Sequence, residues 1–99
     1  MPPDALQADP KHYKVEFEND LVRVLRIHYG PREKSAMHTH PRGFGVFLTD
    51  HHARFTGPDG ETWEWRAKAG EFFVADGTTH SPENLSDEPF EIIEVEFKS

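Results

Sequence analysis

The chain has 99 residues and a net charge of −7, so it makes one small domain whose surface repels phosphate backbones and anionic membranes. It has no Cys, which excludes disulfides, thiolate nucleophiles and iron–sulfur ligation. Any metal must therefore be held by His nitrogen or by carboxylate or carbonyl oxygen, and no apolar run approaches the roughly 18 residues of a membrane span.

Residues 1–10 carry Pro2, Pro3 and Pro10 and read as a flexible arm, with a single domain over residues 11–99. The arm lacks a basic start followed by an apolar stretch, so it is not a secretion signal, and a cytoplasmic location is expected. Beyond it the dominant period is two. Tyr13, Val15 and Phe17 alternate with Lys14, Glu16 and Glu18; Trp63 and Trp65 flank Glu64; Ile93, Val95 and Phe97 alternate with Ile92, Glu94 and Glu96. Such alternation puts one side of each strand on a core and the other on water. Strands are expected near 12–18, 21–29, 34–39, 43–49, 53–57, 61–67, 71–75, 79–85 and 90–97. Asn19-Asp20, Pro58-Asp59-Gly60 and Asp76-Gly77 supply turns between them. About nine short strands with no amphipathic helix predict an all-β protein, a small barrel or double-sheet jelly roll.

Two of the seven His, His38 and His40, stand two apart. On a strand they face the same way, so two imidazoles point at one spot, and both can donate lone pairs to a single metal ion. About forty residues later comes a second cluster. Gly70 opens the run Glu71 to Ala75, the Asp76-Gly77 turn follows, and then Thr78, Thr79, His80 and Asn84.

In these two segments the chain resembles the cupin superfamily, over roughly residues 20–97. His38 and His40 match the first cupin motif; Gly70, His80 and Asn84 match the second. The resemblance implies one divalent metal held by His38, His40 and His80 inside a barrel. Phe44 and Gly45 stand where the first motif has its Glu, and Asp76 stands where the second has Pro. The site then uses three His, takes a fourth ligand from elsewhere, or has lost its metal. Cupins with three His and no Glu include dioxygenases, which favours iron(II); imidazole equally serves zinc, nickel, copper or manganese.

For the pocket around the metal, Arg42, Phe44, His28 and Trp65 are candidate substrate-binding residues, with Arg42 or Arg26 able to hold a carboxylate. Either Phe44, Val46 and Leu48 or Phe47 and Thr49 face the barrel, and Trp63, Phe72 and Phe73 are further candidates for its lining. His51 and His52 fall in a hairpin turn and read as solvent-facing, and His12 reads as inert. The functional expectation is a metal-dependent enzyme acting on a small organic molecule, with no nucleic-acid or membrane partner. The alternatives are a metal-dependent isomerase or lyase and a non-catalytic metal- or ligand-binding cupin. Pairing into a homodimer is expected from the same resemblance.

Overall fold

In a computed structural model, which describes residues 2–98, the chain forms one short helix and seven strands. The helix is α1 (Ala5–Ala8); the strands are β1 (Tyr13–Glu18), β2 (Val22–Tyr29), β3 (His38–Phe47), β4 (His51–Thr56), β5 (Thr62–Ala67), β6 (Phe72–Asn84) and β7 (Phe90–Phe97). They pair in the order β1-β2-β7-β3-β6-β4-β5, and every pairing is antiparallel. Strand β6 pairs with β3 as far as His80 and with β4 from Ser81 onward, so one strand serves two sheets and closes a jelly roll.

The fold class is as expected, but the nine expected strands become seven. The runs at 34–39 and 43–49 give way to β3, because pairing with β6 continues on both sides of Pro41, from His40↔Thr78 to Arg42↔Asp76. The runs at 71–75 and 79–85 join as β6. Gly77 takes φ +96, a conformation open to glycine, and the chain kinks there without leaving the sheet.

Inside the roll, Leu25, Ile27 and Tyr29 of β2 pack with Phe47, Ala53, Phe90 and Ile92. Full burial of a residue such as Leu25 contributes about 2 kcal/mol. Strand β7 turns Phe90, Ile92, Glu94 and Glu96 inward and Ile93, Val95 and Phe97 outward, so two carboxyls enter the interior. Strand β3 lies tight against β7: a Cβ added at Gly43 would sit 2.0 Å from the Val95 carbonyl oxygen.

Residues 2–10 lie against the barrel. Thr39 N–H donates to the Pro3 carbonyl at 2.9 Å, Asp4 caps α1 through the Gln7 N–H, and Ala5 is fully buried.

Candidate metal centre

The register of β3 against β6 builds the centre. His38 lies directly across from His80, and His40 follows two residues along β3. The three rings meet edge to face with centroids 4.8, 4.9 and 5.2 Å apart. One nitrogen from each lies within 4.8 Å of the others, and the rings are wholly or largely buried.

Hydrogen bonds fix which nitrogen two of the rings present. His38 Nδ1 lies 2.9 Å from the Ala36 carbonyl, which can only accept, so Nδ1 carries the proton and Nε2 keeps its lone pair. His40 Nδ1 lies 2.6 Å from Glu96 Oε2, which leaves its Nε2 free in the same way. Glu96 is itself held by Arg23, whose Nη2 donates to Oε1 at 2.7 Å. His80 Nε2 is buried and has no hydrogen-bond partner among the described residues.

Burial first, then the neighbouring rings, pushes His38 down to about 4 and His80 to about 2, so both are neutral at ordinary pH. Burial alone would lower His40 as well, but the Glu96 carboxylate on its Nδ1, with Glu94 close by, outweighs it and raises the ring. For Glu96 the balance reverses: burial would raise it, and the bonds from His40 and Arg23 bring it down. Glu94 has no such bonds, and burial lifts it to about 7.

This donor set fits a divalent metal. Three imidazole nitrogens turned to one point are what such an ion takes, and nothing among the described residues pairs with the buried nitrogen at 80. The carboxylate on His40 is the kind of partner that orients a ligating ring. The expected motif Glu is absent from its place. Glu94 and Glu96 instead cluster with His40, outside the three-His group.

Beside the centre lies a cavity of about 300 Å³ between the two sheets. Tyr29, Phe47, Phe55, Phe73 and Phe90 give it aromatic walls, and His40, His80 and Glu94 face it from the metal side. The Tyr13 hydroxyl reaches His38 Nε2 at 3.1 Å and the Tyr29 hydroxyl at 2.7 Å.

The fold occurs in solved structures. A cupin domain from Bordetella pertussis Tohama I superposes with a TM-score of 0.79 at 23% identity, over 100% of this chain and 98% of that one. The chain has the cupin fold. A protein with a double-stranded beta-helix domain from Klebsiella pneumoniae follows at TM-score 0.65 and 26% identity, covering 84% of this chain and 72% of that one. Oxalate decarboxylase aligns at TM-score 0.62 and 19% identity, over 87% of this chain but only 26% of the enzyme. No protein-family model and no curated protein matches the sequence.

In this cupin fold, His38, His40 and His80 converge as the motifs imply, while Asn84 serves the backbone. Its Nδ2 donates to the Gly30 and Glu88 carbonyls, and its Oδ1 accepts from Ser86. Of the four pocket candidates only Trp65 lines the cavity. Phe44 falls with Val46 and Leu48 on the outer face, and Phe47 turns inward instead. Arg42 is exposed, its guanidinium 5.9 Å from the Phe97 ring. His28 is exposed on the outer side of β2, and Arg26 is engaged by Glu16 and Glu91.

Two other histidines differ from expectation. His51 begins β4 rather than ending a turn, which buries it on the cavity wall; His52 points the other way, to Glu64. His12 is buried too, stacked 4.2 Å from Tyr29 with its nitrogens on Asp9 and Glu33. Glu94, Glu96, Tyr13 and His51 therefore join the surroundings of the centre, and only their alternation in the sequence hinted at an inward face.

Proposed function

We propose that this domain binds one divalent metal ion through His38, His40 and His80 and acts on a small organic molecule held in the adjoining cavity. The observation that carries the proposal is His80 Nε2, buried and unpartnered directly across the sheet from His38. A bound ion would supply Lewis acidity and open coordination positions, and iron(II), which the resemblance to three-His dioxygenase cupins favours, would add dioxygen chemistry.

The chain supplies the rest. Glu96 holds the His40 ring by its Nδ1, and Arg23 holds Glu96. The aromatic walls exclude water and press a substrate toward the three imidazoles. Tyr13 places a hydroxyl, and Glu94 a carboxyl, where a substrate oxygen at the centre can hydrogen-bond to them.

The test is the metal content of protein purified without added metal, alongside His38→Ala and His80→Ala. About one divalent ion per chain in the wild type, lost from both variants, is the expected result. A wild type that carries no metal and takes up none of iron(II), zinc, nickel, copper or manganese would end the proposal. Oxygen uptake by the iron-loaded protein with thiols or diketones then tests the oxidative branch.

The outer face supports pairing of two copies. Phe44, Val46, Phe72, Val74, Val95 and Phe97 lie side by side across β7, β3 and β6, and Phe72 and Val74 are 70% and 74% exposed. A contiguous apolar patch of this kind on a small domain marks an interface.

A further inference from the structure

The cavity has a second polar pole. His51 is only 6% exposed, and its ring centroid lies 4.3 Å from that of Phe90, 4.8 Å from Phe47 and 6.4 Å from Phe55. Its Nδ1 is buried with no partner, and no hydrogen bond reaches the ring among the described residues. A phenyl ring would fill this place without leaving a polar atom unmet. The imidazole is therefore a liability to the fold that a phenyl ring would not be, and its ring lines the cavity, where a bound group can meet it.

The surroundings limit what that group is. Phe55 stacks 5.0 Å from His80 and is also the neighbour of His51, so a single phenyl ring bridges the metal centre and the unpartnered nitrogen. No Arg or Lys lines the cavity among the described residues, whereas Asp76 and Glu94 do. Away from the metal centre, a carboxylate or phosphate would meet these acids there and no Arg or Lys. A neutral imidazole offers one donor and one acceptor, and a hydroxyl can satisfy either. A volume of about 300 Å³ between aromatic walls holds one substituted ring.

We infer that His51 sets the specificity of the cavity by hydrogen-bonding the hydroxyl group of a small, uncharged aromatic ligand. This names the substrate class for the metal centre proposed above. It rests on that reading for its catalytic consequence but not for the binding itself.

The test separates the two. Chelator-treated, metal-free wild type and His51→Phe are each titrated with phenol, with toluene of nearly the same shape, and with benzoate. The shifts of the His51 ring nitrogens and of the cavity methyl groups report binding. Phenol binds the wild type and moves the His51 ring, and benzoate does not compete with it. In His51→Phe, toluene still binds while the phenol-to-toluene affinity ratio falls at least about tenfold. An unchanged ratio, phenol failing to bind the wild type, or benzoate displacing phenol on equal terms would each overturn the inference. Absence of metal from the untreated protein would sink only the metal reading, since no arm of this titration uses metal.

Discussion

Replacing His51 by Phe should stabilise the protein, and more so in acid. At neutral pH the variant removes a buried nitrogen without a partner and puts a ring of similar shape among Phe47, Phe55 and Phe90, beside a cavity that can take the extra volume. That is worth about 1–2 kcal/mol. Burial first, and the neighbouring His52 second, lowers His51 from 6.5 to about 4. A histidine depressed in this way is protonated in the unfolded chain before it is protonated in the fold. Its contribution is thus complete above pH 6.5 and is lost as pH falls toward 4. From pH 6.5 to 4.5 the wild type loses about 2 kcal/mol through this one group, and the variant loses none of it. The gap between the two proteins should therefore widen from about 1–2 kcal/mol at pH 7.5 to about 3–4 kcal/mol at pH 4.5. Urea denaturation of both at the two pH values measures it, and the titrating groups that His51 does not influence cancel in the difference. A gap that stays constant with pH, or a variant less stable than the wild type at pH 7.5, would refute the reasoning.

Three further outcomes follow from particular contacts. Glu96→Gln removes the charge that holds His40 Nδ1 at 2.6 Å and Arg23 at 2.7 Å. Metal affinity in a chelator competition should fall about 10- to 100-fold, with a loss of about 3 kcal/mol in stability, since Arg23 is left poorly paired. Gly43→Ala drives a Cβ to 2.0 Å from the Val95 carbonyl oxygen, so β3 and β7 must separate. The expected destabilisation is about 3 kcal/mol, and an unchanged thermal midpoint would contradict the close approach of these strands. Phe72→Glu places a charge in the outer apolar face, and sedimentation should show the wild type as a dimer and the variant as a monomer; identical sedimentation of the two would dismiss this face as the interface.

The three converging histidines were legible because the signal lies in spacing: an H-x-H on a strand, and a third His after a buried run and a glycine. What was not legible depends on which side of a strand is the inside. Alternation along 90–97 is symmetric, so it separates Ile93, Val95 and Phe97 from Ile92, Glu94 and Glu96 without saying which set is enclosed. Polarity suggests that the acids face water, yet Arg23 and His40 meet Glu96 inside and reverse the assignment. His51 was obscured by one residue of phase, since a turn ending at Asp50 makes it the first inward position of β4. The breaks at Pro41 and Asp76-Gly77 were real local signals, but the ladder between β3 and β6 carries the chain through both. Arg42 and Phe44 are candidates for the pocket by sequence, and β3 leaves both on its exposed side.

Buried polar groups are common to all these features, but they do not all carry the same meaning. Asn84 is fully buried and its donors and acceptor are met by Gly30, Glu88 and Ser86, so the chain explains it completely. His12 is buried with both nitrogens on carboxylates, and it too is accounted for. His38 and His40 each have one nitrogen committed to the fold and one turned to the centre. Two buried side-chain atoms have no partner among the described residues, His80 Nε2 and His51 Nδ1, and both rings line the same cavity with Phe55 between them. Folding alone selects against such atoms. Their occurrence at the two polar poles of one aromatic cavity, rather than scattered through the core, is what ties both to something bound there.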